Sequence, residues 1–244
     1  MALDDILASL FPNGRKIDRS GEMIAGRAVL PDGGPVHVLG IIGGEPLGVD
    51  EAIVLASRVI DIVKSGDRAP ILFLVDSASQ RMSKRDELLG LSEYLSHLAK
   101  ALLLAEAEGH RTVGLLYGGS AAGAFIATAL ATGTLVALPG AHPAVMDLPS
   151  MARVTKLPID VLKAKAEATS VFAPGLDNMV LTGGVHAVWD DSAPLAPQLA
   201  AVLQRSQGRD DRSRRGTERG GRRKAAEIAD RVVALAAHRE PLHG

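Results

Sequence analysis

The chain has 244 residues, with 47% hydrophobic and 23% charged residues, a length that fits one large domain and buries a sizeable core. Lys and Arg total 27 against 28 Asp and Glu, a formal net charge of −1 that disfavours nucleic-acid binding over the whole surface. With no cysteine, thiolate zinc sites, iron–sulfur clusters, a cysteine nucleophile and disulfides are excluded.

No run approaches eighteen uncharged apolar residues, and the start, MALDDILASLF, is acidic where a secretion signal is basic. The expectation is a soluble, cytoplasmic protein with no membrane contact. Aromatics make up only 3%, so packing must rest on small side chains and close backbone approach, with few platforms for stacking bases.

Asn13-Gly14, the apolar run Met23 to Leu30 and Pro31-Asp32-Gly33-Gly34 predict a hairpin-like entry into a sheet. Val36 to Ile42 reads as a buried strand, Gly43 to Gly48 as a loop, and a helix follows from near Asp50 with Ile53, Ala56, Ile60 and Val63 on one face. Ile71 to Val75 is a second buried strand. The polar segment Asp76 to Ser83 behind it is expected to leave the sheet as a loop at the strand's carboxyl end, where open parallel sheets hold ligands.

A single long helix is expected from Asp86 to Glu108, with Leu88, Leu91, Leu95, Leu98, Leu102 and Ala105 facing inward and Gly109 as its stop. The unit then recurs: strand Val113 to Tyr117, turn Gly118-Gly119-Ser120, an alanine-rich helix Ala121 to Thr132, and strand Thr134 to Leu138. Such alternation predicts an α/β fold with a parallel sheet under helices. A short strand Ala144 to Met146, a helix around Ile159 to Thr169 and an apolar run Met179 to Val185, ending in Trp189, complete the body as a helical layer and last strand. Residues 205–224 hold nine basic and three acidic residues, a net +6 that leaves about −7 elsewhere, and read as a flexible basic linker. Ile228, Val232 and Leu235 are spaced for a terminal amphipathic helix from Ala225 to His238.

The segment Tyr117 to Phe125 runs from strand through paired glycines into a helix, a geometry that offers free main-chain N–H groups to an oxyanion. The plainer alternative is that Gly and Ala there let a helix sit tightly on the sheet. An N–H near Ser79, Gln80 or Arg81 facing Ala121 to Gly123 across the cleft would complete a pair of donors for the enolate of a thioester, each worth roughly 3 kcal/mol. The competing alternative has Asp76 capping a turn and Ser77 and Ser79 satisfying local backbone. His142 and Tyr117 are the nearest proton donors in sequence.

Residues 38–80 and 114–148 resemble the carboxyltransferase branch of the crotonase superfamily, and the chain as a whole resembles the gamma subunits of biotin-independent malonate decarboxylase. The resemblance implies a ClpP/crotonase-like spiral of ββα units with flanking helices over residues 1–204, followed by the basic linker and, over 225–244, the terminal helix. It implies a homologous beta subunit and an acyl carrier protein as partners. The implied reaction converts malonyl-S-acyl carrier protein to acetyl-S-acyl carrier protein and CO2. The resemblance further implies that no cofactor binds the chain directly and that the thioester rides on the carrier's phosphoribosyl-dephospho-CoA prosthetic group. Gly118 to Gly123 match the family's glycine-rich oxyanion turn, and Asp76 to Gln80 its Asp-Thr-Pro-Gly-like loop, although Ser77-Ala78-Ser79 and Ala121-Ala122 depart from those patterns. The implied catalytic positions are Gly119, Ser120, Ala121, Ala122, Gly123, Ser79 and Gln80, with Gly118 and Arg81 as cofactor-binding positions and no metal.

Two rivals stand beside this reading. A biotin-dependent acyl-CoA carboxyltransferase subunit shares its fold and turn. A serine hydrolase would use Ser120, Asp147 and His186, which occur in the order such enzymes use, but the nucleophile turn needs Gly at 122 and has Ala. A non-enzymatic scaffold that recruits an acidic carrier protein through the basic segment is a further possibility.

Overall fold

The structure is a computed structural model that describes residues 1–168, 174–205 and 210–237. A short helix α1 (Leu3–Leu10) leads to β1 (Arg15–Ser20) and β2 (Met23–Val29), which form the expected hairpin; β2 then pairs antiparallel with β3 (Pro35–Leu47). The alternation that follows is α2 (Val49–Ser65), β4 (Ile71–Gln80), α3 (Lys84–Leu89), α4 (Leu91–Ala107) and β5 (Thr112–Leu116). Next come β6 (Gly119–Ala121), α5 (Ala122–Ala127), β7 (Thr134–Ala137) and β8 (His142–Ala144). The helices α6 (Leu148–Thr155), α7 (Ile159–Ala168) and α8 (Leu176–Leu181), strand β9 (Ala187–Val188) and helices α9 (Leu195–Leu203), α10 (Arg212–Glu218) and α11 (Arg223–Ala237) complete the chain.

The main sheet has the order β1-β2-β3-β4-β5-β7-β9, parallel from β3 onward, while β6 and β8 form a separate parallel pair. On one face Phe73, Val75 and Leu116 pack under α2, α4 and α5; on the other Leu72, Leu74, Leu115 and Val136 pack under α1 and α9. α2 buries Val49, Ala52, Leu55, Ala56, Val59 and Ile62, and each large side chain of that stripe stabilises the fold by about 1.5–3 kcal/mol. Ile53, Ile60 and Val63 flank that stripe as half-buried residues.

Several elements differ from the sequence expectation, each for a local reason. The expected loop Gly43 to Gly48 continues β3 as far as Leu47, kinked where Gly43 and Gly44 take positive φ, with Glu45 and Leu47 pairing Ser77 and Gln80. β4 correspondingly runs on through Asp76 to Gln80, because the polar side chains of that stretch find partners across the sheet end. The single helix expected over Asp86 to Glu108 breaks at Gly90 (φ 84°), whose left-handed conformation caps α3, leaving Leu88 78% exposed. The long alanine-rich helix contracts to Ala122–Ala127, with Gly119 to Ala121 drawn into β6. Met179 to Val185 divides between the end of α8 and a turn, and β9 begins at Ala187.

The expected linker over 205–224 carries α10, docked on the body. Arg212 donates to the carbonyls of Leu130 and Thr132, and Arg219 to those of Val180, Val185 and His186. Backbone meets backbone there: a Cβ on Gly216 would lie 2.3 Å from the Thr182 carbonyl oxygen and one on Gly183 2.1 Å from that of Arg212. Residues 206–209 of this span, Thr169 of the helix expected around 159–169, and 238–244 of the terminal segment lie outside the described residues. α11 forms as expected over the described part, with Ile228, Val232 and Leu235 exposed.

Candidate functional site

The carboxyl ends of β3, β4 and β5 converge on the segment Gly118 to Gly123. Asp76 leaves the core part of β4 and turns its carboxylate onto the strand beside it, where Oδ1 accepts the Gly119 N–H at 3.0 Å. A Cβ on Gly118 would stand 2.1 Å from that oxygen, and one on Gly119 would stand 2.8 Å from the Ser77 carbonyl oxygen. The paired glycines are therefore required by close approach, whatever ligand the turn meets. One residue on, the hydroxyls of Ser77 and Ser120, both 1% exposed, hydrogen-bond to each other at 2.9 Å. At the far end of the turn the Gly123 N–H donates to Gln80 Oε1 at 2.8 Å, with Leu95 packed alongside. Ser79 sits half-buried between these braces, its hydroxyl donating to the Gln80 carbonyl at 3.0 Å.

β6 lies parallel to β8, with Gly119 opposite His142, Ser120 opposite Pro143 and Ala121 opposite Ala144. Between β6 and α5, Ala122 takes φ 50°, a left-handed conformation that costs a non-glycine residue about 1 kcal/mol or more and marks a point of stored strain at the centre of the turn. Tyr117, at the start of the segment, turns to the other face of the sheet and lines a 230 Å³ pocket with Arg19, Ile42, Gly43 and Asp76. Burial, and then the Asp76 charge, push its phenol well above the usual tyrosine range, so it stays protonated.

The structure brings together every residue singled out in the turn and in the Asp76 to Gln80 segment, and it corrects three expected roles. The amides of Gly119 and Gly123 are engaged by Asp76 and Gln80, so in this chain they do not stand open to an oxyanion. The main-chain N–H of Arg81 donates to the Leu47 carbonyl at 2.8 Å in the β3–β4 pairing, and does not face the turn. The Arg81 guanidinium is held by Glu51 at 2.7 Å, within ion-pair reach of Asp86 at 3.8 Å; the Glu51 bond raises its pKa. Its side chain braces the start of α2.

The hydrolase constellation does not assemble. Asp147 is the N-cap of α6, accepting the Ser150 N–H at 2.6 Å, and His186 lies near the amino ends of β5 and β7, its N–H donating to the Leu135 carbonyl, whereas Ser120 follows the carboxyl end of β5. Burial, and then Arg215 and Arg205, push the His186 imidazole down to about 4. Among the described residues no three of His, Asp and Glu gather as a metal site, and no helix is long and apolar enough to cross a membrane. Sequence reasoning passed over Asp76 as the acceptor for the glycine turn. The sole signal was a carboxylate placed directly after a buried strand, which fits many turns equally well.

The profile of malonate decarboxylase gamma subunits matches residues 43–236. The chain belongs to the malonate decarboxylase gamma subunit family. Both segments of the site fall inside that match, and the docked α10 does too. The chain is also 29% identical over 217 residues to the Malonomonas rubra malonyl-S-ACP:biotin-protein carboxyltransferase MADD, covering 82% of this chain and 73% of that one. Among solved structures it shares its fold with a chain of a Pseudomonas malonate decarboxylase hetero-tetramer in complex with coenzyme A. That match has a TM-score of 0.77 at 24% identity and covers 95% of this chain and 98% of the other. A Pseudomonas malonate decarboxylase hetero-dimer gives 0.74 at 24% identity, covering 95% and 98%. The transcarboxylase 12S core gives 0.68 at 17% identity, over 84% of this chain and 41% of that longer one. These likenesses show the fold expected from the sequence, the crotonase type that the chain shares with the transcarboxylase core.

Proposed function

We propose that this gamma-type subunit pairs with a homologous beta subunit to decarboxylate malonyl-S-acyl carrier protein to acetyl-S-acyl carrier protein and CO2. In this reading the thioester is presented on the phosphoribosyl-dephospho-CoA group of the carrier protein, which is substrate to the pair. The family match across residues 43–236 carries the proposal. The chemistry of the cleft agrees with it. Loss of CO2 from a malonyl thioester needs no strong base; it needs donors for the enolate oxygen, exclusion of water and a proton for the carbanion. The two serine hydroxyls in the cleft are buried against each other rather than activated by a base.

Gly119 and Gly123 are braced from within the chain, and the reading therefore makes Ser120, Ala121 and Ala122, with Ser79 and Gln80, one wall of a shared site that the partner closes. Donors supplied by the partner complete the enolate hole. The partnership is supported by the Pseudomonas relative of this fold, whose structure is described as a hetero-dimer.

A second reading has one observation behind it: the Malonomonas rubra relative passes carboxyl groups to a biotin protein. A single assay separates the two. CO2 release from malonyl-S-acyl carrier protein is measured for the chain alone, for the chain with its beta partner, and with avidin added. Activity confined to the pair and indifferent to avidin is the expected result. Inhibition by avidin transfers the assignment to biotin-linked carboxyl transfer, and an inactive pair refutes the decarboxylase reading.

A further inference from the structure

Decarboxylation leaves a carbanion that must take up a proton, and of the two donors nearest the glycine turn in sequence, Tyr117 and His142, the geometry favours the second. We propose that His142 delivers that proton, an inference that rests on the decarboxylase reading of the same site. β8 carries His142 opposite Gly119 in the register of the short β6–β8 pair. The ring is oriented at one nitrogen: Nδ1 lies 3.2 Å from the Gly140 carbonyl oxygen, a contact in which the ring must be the donor. The other nitrogen is thereby turned on the glycine segment. A Cβ on Gly119 would meet Nε2 at 2.9 Å, so the imidazole lies over the main chain of the turn only because residue 119 has no side chain.

The neighbouring groups are spoken for. Ser77 and Ser120 are bonded to each other out of solvent's reach, and Asp76 accepts from Gly119. The Tyr117 phenol packs against the core beneath α1 and α9 and lines a separate pocket with Arg19, Ile42 and Asp76. His37 and His110 pack together at the other ends of the strands, where His110 bonds the Ala69 carbonyl. His142 is instead exposed to solvent.

In the step assigned to it, the C–C bond to the carboxylate breaks and CO2 leaves with no electrons from that bond. The pair becomes the enolate. The enolate carbon then takes the proton carried on His142 Nε2, a C–H bond forms, the thioester carbonyl returns, and solvent restores a proton to that nitrogen. Without the donor the enolate survives longer and recaptures CO2.

That partition is the test. The chain–beta complex turns over malonyl-S-acyl carrier protein in the presence of labelled bicarbonate and carbonic anhydrase, and label returned to the malonyl group is divided by acetyl group formed. His142→Gln is expected to lower acetyl formation about a hundredfold, the usual contribution of a positioned acid, while raising the ratio. Added imidazole is expected to restore part of the rate in His142→Ala. The ratio is taken per active complex, so a loss of folded protein leaves it unchanged. Acetyl formation at the wild-type rate, or a fall in rate per folded complex with an unaltered ratio, overturns the proposal. A wild-type complex that releases no CO2 overturns the decarboxylase reading instead, which keeps the two failures apart.

Discussion

Ser77 and Ser120 show how a residue that looks chemical is absorbed by the fold. Two hydroxyls buried at the join between β4 and β6 satisfy each other at 2.9 Å, so truncating one leaves the other buried and without its partner. Ser120→Ala is expected to cost about 1–3 kcal/mol in denaturant unfolding. Removing both with Ser77→Ala in the same chain should recover much of that loss, because no unmatched polar atom then remains. Decarboxylation by the reconstituted pair is expected to survive Ser120→Ala; abolition at full folding would restore the nucleophile reading. Gly118 makes a sterner demand: a Cβ 2.1 Å from Asp76 Oδ1 forces the carboxylate off the Gly119 amide. Gly118→Ala is expected to destabilise by about 1–3 kcal/mol and to reduce activity together with stability, read by thermal melting beside turnover.

At the level of elements, much that apolar period governs was legible: the strand cores of β3, β4 and β5 and the inward leucines of α4 stand where hydrophobic spacing placed them, whereas α2 formed as expected but buries Leu55, Val59 and Ile62, with Ile53, Ile60 and Val63 of the expected face only at its flanks. The parts governed by long-range hydrogen bonding were not. Nothing local shows that Asp76 to Gln80 continues a strand, since their partners are Gly119, Ser120 and Gly123, 43 residues away. The basic segment misled for the same reason. Composition announces charge, and charge alone suggests solvent, but Arg212 and Arg219 spend their guanidiniums on main-chain carbonyls left open at turns of the body. Arg219→Met keeps the stem and removes the donors to Val180, Val185 and His186. It is expected to destabilise by about 2 kcal/mol and to raise the rate of tryptic cleavage within 212–223 severalfold at native pH, while cleavage at Arg58 in α2 is unchanged. Equal cleavage in both proteins would show that α10 is held by its backbone contacts alone.

For the molecule as a whole, the docked arm sets how folding responds to acid. His186 sits beneath it with its imidazole pushed down to about 4 by burial and by Arg215, Arg205 and Arg219, and His37 is lowered by burial even though Asp67 pulls the other way. Both are more readily protonated in the unfolded chain, where histidine titrates near 6.5. Between 6.5 and the depressed folded values the unfolded state binds more protons, so stability is fully present above 6.5 and drains away as pH falls through that window. The carboxylates Asp67 and Asp211 are lowered as well, and they add their own loss only below about 4. Melting temperature should therefore decline in two stages, first from pH 6.5 toward 4 and then more steeply. His186→Gln removes one titrating group under the arm and is expected to flatten the first stage while leaving the second in place. An unchanged profile in that variant, measured by thermal melts from pH 7.5 to 3.5, would mean that the arm lifts away from His186 before the histidine takes up its proton.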